Sequence, residues 1–119
     1  MSLLEACVDS YASALAACRG GADRLELCAN LSIGGTTPSA CLFRQVRRAC
    51  PIRINVLIRP RFGDFLYAEE ELEEMREEIR QFRELGADGV VTGVLTPEGT
   101  VDETAMAWLL EGAGELEVT

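Results

Sequence analysis

The sequence predicts an α/β protein, part of a (β/α)8 TIM barrel, on three observations. Five strand-like runs alternate with four helix-like runs, the pattern of βα units on a parallel sheet. Gly21-Ala22-Asp23, Gly86-Ala87-Asp88 and Gly112-Ala113-Gly114 recur where a helix hands over to a strand. Polar residues within the strands share one parity: Glu5 with Cys7, Arg24 with Glu26 and Cys28, Asn55 with Arg59, Glu117 with Thr119. An open parallel sheet covered by helices on both faces is apolar on both. One apolar and one polar face instead fit a barrel interior that opens at the strands' C-terminal ends. A complete barrel takes eight units and about 250 residues; these 119 residues supply four units and one further strand.

The elements follow in order. Leu3 to Val8 is a short apolar run holding Glu5, and Asp9 or Ser10 can cap a helix running to about Arg19. Arg24 to Ala29 is the second strand. After a polar loop, Thr37-Pro38 offers a cap and a first-turn proline for a second helix. Its apolar face is Leu42, Val46, Ala49 and Cys50, and Pro51 stops it. Ile54 to Ile58 is the third strand. Leu72, Met75, Ile79, Phe82 and Leu85 step by three and four, an amphipathic helix whose wet face mixes Glu and Arg, with Glu73 and Arg76 as a supporting pair. Gly89 to Val94 is the fourth strand and Thr96-Pro97-Glu98-Gly99 a turn. Asp102 can cap a helix containing Met106, Leu109 and Leu110, and Leu116 to Thr119 opens a fifth strand.

Composition narrows the function. A hydrophobic content of 48% suits one modest domain with a real core, spanning residues 1–119. No apolar run approaches the roughly 18 residues a membrane helix needs. The first residues carry a Glu and no basic stretch, so no secretory signal is expected and the predicted location is cytoplasmic. A net charge of −9 argues against nucleic acid or an anionic membrane as partner. There is no Lys and no His, so any chemistry must use carboxylates, Arg, thiols, hydroxyls or backbone. The five Cys contain no C-x-x-C spacing, which speaks against a disulfide scaffold or a structural zinc site.

Several motifs, taken in order along the whole chain, resemble the CutC copper homeostasis family. They are Leu4-Glu5 with Cys7, Gly20-Gly21-Ala22-Asp23-Arg24-Leu25-Glu26-Leu27-Cys28, Gly34-Gly35-Thr36-Thr37-Pro38-Ser39, Ile58-Arg59-Pro60-Arg61 with Gly63-Asp64-Phe65, and Thr92-Gly93-Val94-Leu95. The resemblance implies a cytosolic, often oligomeric (β/α)8 barrel with a role in copper handling and no securely assigned reaction. Phe62 stands where the family pattern has Gly, and the chain ends at Thr119, where the pattern continues into a Phe-His-Arg segment. The chain therefore reads as the N-terminal half of a CutC-like barrel.

Two constellations are candidate sites. Cys7 and Cys28 should point inward from neighbouring strands, about 5 Å apart. They could be packed thiols, or they could hold Cu(I), a soft ion that prefers sulfur; the resemblance implies the same pair as copper ligands. Glu5, Glu26, Arg59 and Arg61 form the second group. Parity aims Arg59 at Glu5 and Glu26, and the four could bind a small anionic ligand, with a Glu as acid or base. Alternatively they form a self-satisfied ion network. Asp64 should orient Arg61 or cap a loop. The Gly34 to Pro38 loop leads into a helix N-terminus that could hold an anion, but it is expected to be a flexible loop whose Thr caps the helix, and Cys18, Cys41 and Cys50 should be packing residues. The expected functions are copper homeostasis through Cu(I) binding, a barrel enzyme on a small anionic metabolite, or a truncated barrel without activity of its own. Unpaired edge strands predict a homo-oligomer.

Overall fold

A computed structural model describes residues 2–119. Five parallel strands, β1 (Glu5–Val8), β2 (Arg24–Leu27), β3 (Arg53–Leu57), β4 (Gly89–Val91) and β5 (Glu117–Val118), lie side by side in chain order. Helices α1 (Tyr11–Arg19), α2 (Ala40–Ala49), α3 (Glu69–Leu85) and α4 (Glu103–Ala113) connect them. Sequential order with parallel pairing is how a (β/α) barrel begins, so the predicted class holds. β1, β2, β4 and β5 are shorter than their predicted runs and β3 is shifted by one residue; Ile58 and Val94 stay buried beyond the last strand positions.

The alternation predicted for the strands decides the two faces. Leu25, Leu27, Ile54, Val56, Ile58 and Val90 are fully buried on the face the helices cover. Phe43, Val46, Met75, Ile79, Phe82 and Leu109 meet them from the helix layer, and Phe43 packs edge-on against Phe82 with centroids 5.6 Å apart. Full burial of each large apolar side chain contributes about 1.5–3 kcal/mol, so this layer carries the fold. The other face carries Glu5, Cys7, Arg24, Glu26, Arg53, Asn55 and Glu117, joined by register: Glu5 lies opposite Arg24, Glu26 lies between Cys7 and Asn55, and Glu117 is opposite Gly89.

Ser10 caps α1, its hydroxyl accepting from the Ser13 amide at 3.0 Å, while Asp9 accepts from Leu31 N–H. Asp102 caps α4 through the Ala105 amide as its sequence position predicts. Three expectations need correction. Ser39, not Thr37, caps α2, which begins at Ala40 beyond Pro38; its hydroxyl accepts from the Leu42 amide. Thr37 is held elsewhere, its N–H donating to Arg59 O and its Oγ1 accepting from Arg59 N–H. Cys50 is not on the helical face but ends α2 in an extended conformation. The pair expected between Glu73 and Arg76 is also replaced: Arg76 crosses to α4, 3.5 Å from Glu111 and stacked 4.4 Å from the Trp108 ring. Packing against an indole face outweighs a solvated pair on one helix.

Candidate functional site

The polar face is a surface of alternating charge. At the N-terminal end of the sheet, Glu5 pairs with Arg24, Arg24 lies 3.8 Å from Glu117, and Glu117 pairs with Arg53. The side chain of Glu117 can reach both arginines because the intervening β4 position is Gly89. A Cβ there would come within 2.7 Å of Asn55 Oδ1 and of the Glu117 backbone carbonyl. Glu5 is thus committed to an ion pair. This is the self-satisfied network for that residue.

One step toward the mouth lie Cys7, Glu26, Cys28 and Asn55. The register places Cys7 opposite Glu26, so Cys7 and Cys28 are diagonal neighbours, not facing ones. Diagonal positions are about 7–8 Å apart between Cα atoms, which corrects the spacing of about 5 Å expected from parity alone. Cys28 is buried, whereas Cys7 is exposed on the open face. The Cys28 thiol donates to Glu26 Oε2 at 3.4 Å. Burial first, then the Glu26 charge and this hydrogen bond, push the Cys28 thiol well above its ordinary range. Cys7 is raised by burial, then by Glu26 and Glu5. Both thiols therefore hold their protons at neutral pH, with a carboxylate beside them to take a proton when a metal displaces it.

Asn55 is 0% exposed, and neither its Nδ2 nor its Oδ1 has a partner among the described residues. Its polar parity within an otherwise apolar run, Ile54-Asn55-Val56, is the sequence signal for it. Two soft sulfurs on adjacent strands suit Cu(I); one is buried and one open, so the pair has an approach route. No group of three or more His, Cys, Asp or Glu able to hold a metal is found among the described residues. The donors that fit are two sulfurs, not a cage.

Arg59 departs from its predicted role. It lies two residues beyond the end of β3 and meets neither Glu5 nor Glu26. Its guanidinium donates to Gly35 O at 3.0 Å and Gly63 O at 2.7 Å and lies 4.8 Å from the Phe65 ring centroid. Its Nε and the Tyr67 hydroxyl are both buried without a hydrogen-bond partner among the described residues. Arg59 thus ties the Gly34-Gly35 loop to the loop after β3 and makes no ion pair among the described residues.

Arg61 is fully committed. It grips Glu71 of α3 through Nε at 2.6 Å, donates to Leu66 O and Asp64 O, and lies 5.0 Å from the Tyr67 ring centroid. Asp64 orients it, as expected, from 3.2 Å. The Ala68 amide and Arg61 lower the Glu71 carboxyl below its usual range. Glu71 and Tyr67 are the residues that sequence reasoning missed here: their spacing belongs to a solvated helix and an ordinary loop. Gly63 has φ +100°, a conformation only Gly adopts freely, whereas Phe62 before it needs no such freedom and projects outward, 64% exposed.

Comparison with known proteins agrees with this architecture. The CutC family model matches residues 2–119. A copper homeostasis protein cutC homolog of Homo sapiens is 49% identical over 117 residues, covering 98% of this chain and 43% of the relative. A CutC family protein of Salmonella newport is 51% identical over 119 residues, covering 100% and 48%. The chain thus spans about half the length of the curated relatives it matches. A solved structure, the putative copper homeostasis protein CutC from Streptococcus agalactiae, superposes with TM-score 0.93 at 35% identity, over 99% of this chain and 58% of that one. A putative phosphonomutase from Burkholderia cenocepacia, TM-score 0.62 at 19% identity over 98% of this chain and 52% of that one, shares the fold. With a whole-chain family match and a partial barrel of the same topology, the chain belongs to the CutC family.

Proposed function

We propose that this chain, the N-terminal part of a CutC barrel, binds Cu(I) through Cys7 and Cys28 in cytoplasmic copper homeostasis. The observation that carries this is the diagonal thiol pair with Glu26 between its members. Thiolates are the ligands Cu(I) favours, and the relatives' names point to copper. Binding releases thiol protons, so affinity should rise with pH. The test is a chelator-competition titration of Cu(I) into the wild type and a Cys7→Ser/Cys28→Ser variant. The variant should bind at least about tenfold more weakly, a loss of roughly 1.4 kcal/mol; equal affinities would end the proposal.

A second reading, an enzyme on a small anionic metabolite, draws support from Arg59. Its guanidinium has only carbonyl and aromatic partners, and it stands where barrel enzymes place their sites. Of the four candidates, Glu26 and Arg59 keep binding capacity, while Glu5 and Arg61 are spent on ion pairs. Inorganic phosphate should then raise the melting temperature of the wild type but not of Tyr67→Phe or Arg59→Ala; an identical rise in all three argues against it. Homo-oligomerisation is a further part of the proposal: among the described residues β1 pairs with one strand, and such an edge can pair with another chain. Light scattering that finds a monodisperse monomer would remove that part. No helix among the described residues is long and apolar enough to cross a membrane.

A further inference from the structure

Two thiols outside the polar face are unused by that function. Cys18 lies in the last turn of α1 and is half-buried, whereas Cys50 ends α2 and is 1% exposed. The Cys50 thiol sits 3.9 Å from the Ala14 carbonyl oxygen. That carbonyl is the helical acceptor for the Cys18 amide, four residues on. A helical side chain leans back over the preceding turn, which directs Cys18 toward the Ala14 carbonyl and so toward the Cys50 sulfur beside it. Cys50 is also held still: Arg47 donates to Cys50 O at 3.0 Å and to Ile52 O at 2.6 Å while pairing with Asp88 at 2.9 Å. Burial first, then Cys18, raise the Cys50 thiol above its ordinary value, while the guanidiniums of Arg47 and Arg19 act in the opposite direction.

We infer that Cys18 and Cys50 form a reversible, peroxide-oxidised disulfide that staples the end of α1 to the end of α2. Cys18 is the more accessible sulfur and reacts first. Its thiolate attacks the peroxide, an S–O bond forms as the O–O bond breaks, and the departing oxygen leaves as water after protonation. Cys50 then attacks the sulfenic sulfur; the S–S bond forms, the S–O bond breaks, and a second water leaves. Two thiols lose two electrons to one hydrogen peroxide. A reducing dithiol reverses the reaction, so the pair is a modification site and not a scaffold bridge. The staple lies at the N-terminal end of the sheet, away from the strand mouth, so it fixes the first two βα units without covering Cys7 or Cys28.

The test uses a Cys7→Ser/Cys28→Ser/Cys41→Ser variant, which keeps only Cys18 and Cys50. One equivalent of hydrogen peroxide should consume both thiols together and remove the mass of two hydrogens. Trypsin should then release the Ala49–Arg53 peptide joined to the peptide ending at Arg19. The oxidised form should unfold at higher denaturant, and a dithiol should return both properties. Persistence of both free thiols, sulfinic acid at Cys18, or chains joined to one another would overturn the inference. Should the variant fail to fold, the wild type decides: a fragmentation spectrum placing the Cys50 link at Cys18 supports the pair, and a link at Cys7 refutes it.

Discussion

Glu78 on α3 is a carboxylate in the wrong place for its charge. It is half-buried, its Oε1 is buried without a partner among the described residues, and Glu74 stands one turn away. Burial, then Glu74, push its carboxyl from 4.5 up to about 7. Between those values the folded chain keeps a proton that the unfolded chain has released. Stability therefore falls as pH rises through this window, and above about 7 the penalty is complete. A displacement of that size would correspond to roughly 3 kcal/mol in a sealed site. Glu78 is only half-buried, so we discount the penalty to about 1–2 kcal/mol. Glu78→Gln keeps the shape and removes the charge. Urea unfolding at about pH 8 should find the variant more stable by that amount, a midpoint shift of about 1 M for a chain of this size. At about pH 4, where both folded and unfolded wild type are largely protonated, the two midpoints should nearly coincide. Equal stabilisation at both pH values would assign the effect to helix propensity, and no stabilisation at pH 8 would refute the desolvation argument.

Other substitutions separate the site from its supports. Glu26→Gln removes the main charge beside Cys7 after burial itself, so iodoacetamide should alkylate Cys7 about two- to fivefold faster near neutral pH; an unchanged rate would mean Glu26 does not act on that thiol. Gly89→Ala drives a Cβ into the Glu117 carbonyl, and should cost about 1–3 kcal/mol and speed amide exchange at Thr119, whose N–H bonds Val90 O. Melting at the wild-type temperature would show that β5 can move aside freely. Arg61→Ala strips Glu71, Asp64 and the Leu66 carbonyl of their donor, and should lower the unfolding midpoint and expose the loop over residues 62–66 to protease while leaving Cu(I) affinity unchanged. A parallel loss of copper would move Arg61 from support to site.

What could be read from the sequence depended on which force set each residue's position. Strand alternation is enforced by burial of Leu25, Leu27, Ile54 and Val56, so the two faces of the sheet were legible, and with them the inward company of Glu5, Cys7, Glu26 and Asn55. Register is a different quantity. It depends on how each βα loop returns, and no composition signal states that Cys7 lies opposite Glu26 and not Cys28. Helix caps were legible where one polar residue stood at the boundary, as Asp102 does, and misassigned where Thr37 and Ser39 competed.

Arg59 shows where pleat arithmetic ends. It shares a parity with Asn55, but β3 stops at Leu57, and beyond the last paired residue nothing fixes the side of the next side chain. Arg59 is placed instead by Thr37, whose amide and hydroxyl clamp its backbone, and by the carbonyls of Gly35 and Gly63. These partners lie 22 and 24 residues before it and four after it. Only the assembled barrel mouth brings them together. An arginine neutralised by carbonyl dipoles alone, with Nε still unsatisfied, retains attraction for an anion that one in an ion pair has spent. The same motif therefore contains two arginines held in different ways: Arg61 by the carboxylates of Glu71 and Asp64, and Arg59 by carbonyls, with no ion pair among the described residues.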